Sequence, residues 1–464
     1  MKIPVHLFAT FLFLAVAQSA QAASYTYITT TGSVSSVSNW ADGVNWNGGS
    51  APASSLDNAF SFTSGSGVHM PTTNNIGALF QLNRLVLTNN SSSTNTKQLS
   101  IAGSSLNFVK NSSDTLPTLE LGRGVTNGGK IVLSAPFTVT DALTITNSAR
   151  ASTQETTISG AIANAGGITF AGTGLIGGTD ARATITLGGG VTSGAGGITV
   201  NGSYNVNMTG NNTYTGLTDV QAGTLTLNRS GGTLANASAV QVSGGTLAVA
   251  QADTVGAVTL SSGTISGAGI LTGASYSLTN SGTVSAVLGG NGVVLSKTGA
   301  GTATLSAVNQ YTGATTVSEG VLNLGADNAV AASVGVVLSG GTLQSAFSQT
   351  LGTLNLTASS TLDLSSEGVF VFADSSALAG SWVGTLSIIG TFEDGVSVRF
   401  GGSEFGLTGD QLGKIKINGF DATIDGDGYL SAVAVPEPSA YAGVAGVLAL
   451  GWVAGRRGGR NRAV

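Results

Sequence analysis

The sixteen residues from Asn212 to Leu227 and the sixteen from Asn309 to Leu324 agree at nine positions and lie 97 residues apart. The shared positions are an Asn, a Tyr-Thr-Gly, then Thr, Val, Gly and two Leu. Weaker echoes fill the chain: Gly-Gly-Thr-Leu at 231–234, 244–247 and 340–343, and Gly-Gly-Ile-Thr at 166–169 and 196–199. Repeats at such spacing mark coils that cannot bury an apolar face alone and so must stack. Between the echoes, apolar and small polar residues alternate, as in Thr224–Leu227, Val321–Leu324 and Thr353-Leu354-Asn355-Leu356, which is the period of a strand. Four coils in the 97-residue interval give ~24 residues each, within the solenoid range. The expectation is an all-β right-handed parallel β-helix, with Val, Leu, Ile and Ala inward and Ser, Thr and Asn outward. Leu225, Leu227, Leu322 and Leu324 then point into the core.

Composition agrees with a solenoid and excludes several alternatives. Charged residues make up 8% of the chain, against ~25% in ordinary domains. The many aliphatics argue against a disordered chain, and the 70 glycines can supply positive φ at tight corners. There is no cysteine, so stability must come from burial and backbone hydrogen bonds. No basic patch lies in the body of the chain, so nucleic acid is not expected as a partner.

The two long copies carry more than the shared sixteen. Leu295-Ser-Lys-Thr-Gly-Ala-Gly-Thr-Ala-Thr-Leu305 precedes the second. Together these residues resemble the autotransporter-associated β-strand repeat over Leu295 to Gly325 and, with fewer matches, over Val206 to Leu227. Ala303 stands where that pattern prefers Leu. Within the repeat, Asn-x-Tyr-Thr-Gly separates two alternating segments and calls for a chain reversal. Asn212 with Gly216, and Asn309 with Gly313, are expected to make it through left-handed backbone. Tyr214 and Tyr311 would lay their rings over the adjoining coil and keep their hydroxyls wet. A carbohydrate-stacking tyrosine is the rival reading, but two such residues so far apart make no continuous ladder.

The two ends read as addresses. Lys2, an apolar run from Leu7 to Ala17, and Ala20-Gln21-Ala22 have the order of a signal peptide cleaved after Ala22. At the other end stand Val435, Pro436, Glu437, Pro438 and Ser439, then an apolar stretch from Ala440 to Ala454, then Arg456, Arg457, Arg460 and Arg462. This stretch is shorter than the ~20 residues that a spanning helix needs. The tripartite pattern resembles the PEP-CTERM sorting signal. The resemblance implies export, transient tethering in the inner membrane and processing near Pro436–Pro438 by an exosortase-type enzyme; an ordinary tail anchor is the alternative. The C-terminal barrel of an autotransporter is not seen in the sequence.

Chemistry-bearing residues are few. After the signal segment the only histidine is His69, which lacks the partners of a triad or of a zinc site. The repeats carry Asp219, Glu319 and Asp327 out of register with one another. Asp425-Gly-Asp427-Gly is a weak candidate for Ca²⁺, and the plainer reading is a turn before a last strand. No cofactor is expected. Gly122-Arg-Gly124 and Gly172-Thr-Gly174 precede no helical pattern and are not phosphate loops.

The expected organisation is therefore a signal peptide at 1–22, an N-terminal cap region at 24–136, β-helix repeats at 137–365, a closing region at 366–434 and the sorting signal at 435–464. The order of Trp40, Asn45, Trp46, Pro52, Asp57 and Phe60 resembles the entry segment of proteins bearing these repeats, and an aromatic cluster there would cap the first coil. Phe400, Phe405, Leu407, Leu412, Ile415, Ile417 and Tyr429 would form short hairpin strands that close the last. The expected function is that of an exported, non-enzymatic structural or adhesive protein, with exopolysaccharide or other copies of itself as partners. A carbohydrate-active β-helix enzyme is the alternative.

Overall fold

Alternating Leu and Thr can satisfy both burial and backbone hydrogen bonding only when strands stack with one face turned inward. The strand Thr224–Leu227 does this: Leu225 and Leu227 are fully buried while Thr224 and Thr226 stay half-exposed. The computed structural model describes residues 23–28, 38–64, 70–77, 79–90, 98–123, 129–147, 155–172, 184–192, 194–365 and 368–433. The chain forms two units, residues 1–256 and 257–464. Each is a parallel β-helix.

In the first unit every coil contributes strands to stacked parallel sheets. One stack begins at Ser24–Tyr27 and runs through Ala59–Ser64, Arg84–Asn89 and Thr118–Arg123. A second begins at Ser38–Asn39 and continues through Met70–Asn74 and Gln98–Gly103. A third joins Phe80–Leu82, Leu106–Phe108 and Phe137–Val139. Parallel coils therefore already occupy the stretch expected as a separate cap. The cap proper is an aromatic cluster at its start. Trp40 and Trp46 are fully buried with Phe60, Phe62 and Phe80. Trp40 stacks on Phe62 at 5.1 Å between ring centroids, and Tyr27 meets Trp46 edge-on at 5.0 Å. The outer edge of Ser24–Tyr27 is closed by an antiparallel segment, with Ile28 N donating to Asn45 O and Asn47 N to Thr26 O, both at 2.9 Å. The Asp57 carboxylate accepts from the amide and hydroxyl of Ser112, two loops further on, at 2.9 and 2.7 Å.

Coils shorten from the start of the chain into the repeats and lengthen again at the end of the second unit, where Leu362 pairs with Ile388 and Ile388 with Ile417. Phe60 pairs with Leu85 and Leu85 with Leu119, steps of 25 and 34 residues. In the repeats Val206 pairs with Leu225 and Leu225 with Leu247, steps of 19 and 22. In the second unit Ala303 pairs with Leu322 and Leu322 with Leu343, steps of 19 and 21. The ~24-residue coil read from the repeat spacing is thus too long, and 97 residues amount to five coil lengths rather than four. The corners consume fewer residues than the sequence echoes suggested.

The second unit ends differently from expectation too. Phe400 lies in a parallel strand, Val398–Phe400, and Ile415–Ile417 is parallel to Leu386–Gly390. Phe405 and Leu412 sit in short helical turns, Glu404–Gly406 and Gly409–Leu412. Only after Ile417 does the chain turn back: Phe420–Ile424 pairs antiparallel with Ile415–Ile417 and then with Leu430–Ala432. This hairpin covers the edge of the last parallel strand. Among the described residues no helix is long and apolar enough to cross a membrane, which says nothing of a β-barrel.

Candidate functional site

The repeated Asn-x-Tyr-Thr-Gly follows the strands Asn205–Met208 and Thr302–Leu305, and short strands that alternation did not reveal, Thr218–Val220 and Thr315–Val317, come between it and the alternating strands Thr224–Leu227 and Val321–Leu324. The motif fills the corner ahead of these short strands. The corner does not work as expected, because Asn212, Gly216, Asn309 and Gly313 all have ordinary negative-φ backbone. Asn is present for its side chain. Asn212 is buried, and its Oδ1 accepts from Val191 N in the preceding coil at 2.7 Å. Its Nδ2 donates to Gly210 O at 2.9 Å and to Thr233 O in the following coil at 2.8 Å. Asn309 repeats this with Leu288 N at 2.8 Å, Ala307 O at 3.0 Å and Ala329 O at 2.8 Å. One amide thus bonds three consecutive coils: its oxygen takes an N–H of the coil before, and its nitrogen serves one carbonyl of its own coil and one of the next, Thr233 O or Ala329 O, which also accepts the Asn main-chain amide at 3.1 Å.

Glycine in the motif answers to space. A Cβ on Gly216 would meet Gly197 N at 2.4 Å, and one on Gly313 would meet Val293 O at 2.4 Å. The preceding coil runs that close. The left-handed positions fall four residues before the second Leu of each copy, at Gly223 and Gly320, with φ of 63° and 64°.

The tyrosines also differ from expectation. Tyr214 and Tyr311 are fully buried. Tyr214 Oη lies 2.5 Å from Thr218 Oγ1, and Tyr311 Oη lies 2.8 Å from Thr315 Oγ1. Burial pushes both phenols above their ordinary range. A threonine four residues on supplies the partner that water was expected to supply. Neither ring is available to stack on a sugar.

Two further buried polar groups belong to the corners and escaped the sequence reading. Lys297, fully buried, donates through Nζ to Thr298 O, Gly299 O and Glu319 O at 2.9, 2.6 and 3.1 Å. Burial holds its amine below the ordinary lysine value, and the Glu319 charge opposes that shift. The other group is Asp253, whose Oδ2 accepts from Thr233 N at 2.9 Å and from Leu234 N at 3.1 Å. Its counterpart by hydrogen-bond pattern is Gln349, whose Oε1 accepts from Ala329 N at 3.0 Å. Asp253 follows Asn212 by 41 residues and Gln349 follows Asn309 by 40; with unequal spacing and different residue types, no sequence pattern links them.

Outward positions align from coil to coil. Thr304, Asn323, Gln344 and Asp363 stand side by side in register, all half-exposed. Gln344 Nε2 donates to Asp363 Oδ2 at 2.8 Å. In the first unit Thr186, Asn207 and Thr226 make a similar row. These are hydroxyl and amide ladders, ended in the second unit by the Asp363 carboxylate.

Asp425 is used by its own turn. Its Oδ1 accepts from the amides of Asp427 and Tyr429 at 3.0 and 2.8 Å, and the turn leads into Leu430–Ala432. Among the described residues no three His, Cys, Asp or Glu side chains gather as a metal site. A cleft of about 520 Å³ near the closing hairpin is lined by Glu404, Phe405, Thr408, Leu412 and Ile424 among others, with Glu404 its one acidic residue. His69, Ala20, Ala22, the sorting motif Val435, Pro436, Glu437, Pro438 and Ser439, the segment from Ala440 to Ala454, and Arg456, Arg457, Arg460 and Arg462 lie outside the described residues.

Two segments, residues 206–227 and 295–324, match the family model of the passenger-associated transport repeat. They coincide with the two corners just described. The match links these coils to the passengers of autotransporters, which are exported surface β-helices. Neither the curated proteins nor the solved structures yield a match to this chain.

Proposed function

We propose that this chain is an exported structural or adhesive protein of the cell surface or extracellular matrix, built as a stiff parallel β-helix whose neutral polar ladders meet exopolysaccharide. The observation that carries the reading is the passenger-type repeat, sitting on coils whose outward faces are rows such as Thr304, Asn323 and Gln344. Such rows suit sugar hydroxyls, which exchange one neutral hydrogen bond for another without burying a charge.

In the same reading the segment 435–464 is a sorting signal. Its apolar stretch tethers the precursor in the inner membrane for a time, and an exosortase-type enzyme processes it near Pro436–Pro438. Cell fractionation with mass spectrometry of the C-terminus tests this. The expected product, at the surface or in the medium, lacks Arg456, Arg457, Arg460 and Arg462. Intact Arg462 on surface or released protein overturns the sorting reading. Failure of the purified β-helix to bind any exopolysaccharide of its host overturns the adhesive one.

A further inference from the structure

In the second unit a chain of hydrogen bonds climbs three coils: Asn309 Nδ2 donates to Ala329 O at 2.8 Å, and Ala329 N donates to Gln349 Oε1 at 3.0 Å. In the first unit the same climb runs from Asn212 Nδ2 to Thr233 O at 2.8 Å, then from Thr233 N to Asp253 Oδ2 at 2.9 Å. Asp253 therefore stands where the other copy has an amide. Gln349 completes its site with Nε2, which donates to Ala326 O at 2.7 Å and Ser345 Oγ at 3.2 Å. Asp253 has a second oxygen instead. Its residue is 3% exposed, and Oδ1 has no hydrogen-bond partner.

The charged and titratable neighbours within this unit do not neutralise it. Arg229 directs its guanidinium to the Gly232 carbonyl at 2.6 Å, and Arg229 and Asp253 form no ion pair. Tyr214 is a neutral phenol engaged with Thr218. A buried ionised carboxylate with one oxygen unpaired is costly, and the usual escape is to bind a proton.

We propose that Asp253 is a proton-binding site built into the repeat corner, carrying its proton in the folded protein so that acid tightens this corner and alkali loosens it. Burial pushes the carboxyl above its ordinary range, opposed by the backbone amides of Thr233, Leu234 and Thr254 and by the Thr233 hydroxyl. A carboxyl raised in the folded state gives stability that is fully present below the unfolded value of ~3.9 and lost as pH rises through the folded value. The device is independent of what the outward ladders bind.

The test uses the whole folded chain. Carbon-13 NMR of labelled aspartate side chains in the wild type is assigned to residue 253 by Asp253→Asn. The expected carboxyl titrates above ~3.9. Thermal melts across pH follow, on the wild type, Asp253→Asn and Asp253→Gln. Wild-type Tm is expected to fall as pH rises through that midpoint; the variants should lack this component and melt higher above it. A carboxyl titrating at or below the ordinary value overturns the proposal, and so does an unchanged pH slope in either variant. If both variants fail to fold, sequential assignment of the wild-type spectrum identifies the Asp253 carboxyl, and its titration still decides.

Discussion

Asn309→Ala removes the amide that joins three coils, and the size of the loss follows from its three bonds. Leu288 N–H, which donates to Oδ1 at 2.8 Å, is left facing a void. Ala307 O loses its 3.0 Å donor. Ala329 O loses one of two donors and keeps the Asn309 main-chain amide at 3.1 Å. An unpaired buried donor costs about 1–3 kcal/mol and each of the two other lost bonds about 0.5–1.5, so the variant should lose about 2–6 kcal/mol. Solenoid coils open locally as well as globally, so native-state hydrogen exchange is the suitable assay. It should show faster exchange at Leu288 and in the coils on either side, with smaller effects further along. Asn309→Asp keeps the acceptor but turns an oxygen toward Ala307 O and Ala329 O, and should be at least as damaging at neutral pH. A loss below about 0.5 kcal/mol, with Leu288 protection unchanged, would refute the idea that the amide ties the coils.

Gly313→Ala should cost about 1–3 kcal/mol by overpacking, because the new Cβ would lie 2.4 Å from Val293 O; Gly409→Ala, with nothing within 4 Å, is the control, and equal urea midpoints would refute the close approach. Lys297→Met should lose about 1–3 kcal/mol at neutral pH from three unmade carbonyl bonds. Because burial lowers the folded amine value, wild-type stability should rise with pH between that value and the unfolded one, and denaturation at alkaline pH should show that rise missing in the variant.

Much of the fold was legible because strand alternation is a local property. Leu225, Leu227, Leu322 and Leu324 are buried in the register that their spacing implies. Trp40 and Trp46 pointed to a capped start as an aromatic cluster in an order that resembles the entry segment of proteins bearing such repeats. What misled was the use of single-residue propensities at the corner. Asn and Gly are the residues that tolerate left-handed backbone, so Asn212 and Gly216 were assigned to it. Here Asn serves by having a donor and an acceptor on one planar group, and Gly by having no Cβ against the coil before it. Tyr214 looked amphipathic because its partner Thr218 is met only through tertiary bending of an irregular segment, which no periodicity encodes. Asp253 was invisible for a similar reason: its place is defined by a bond to Thr233, one coil back. Coil length erred because repeat spacing yields a product of length and number, and the corner size that separates them is a three-dimensional quantity.

The antiparallel segments at Asn45–Asn47 and Phe420–Ile424 carry a consequence for assembly. A stack of parallel strands is an open template: its last rung has the same hydrogen-bonding pattern as every earlier one, so any matching strand can be added. Most proteins guard such a rung with charge, and this chain has almost none to place. Reversal of chain direction does the guarding instead, since a strand already occupied by an oppositely running neighbour has no free rung to offer. At these two edges a strand of a second copy finds no rung to extend. The threonine and asparagine rows, by contrast, stay open for side-by-side contact between copies, as in sheets or mats.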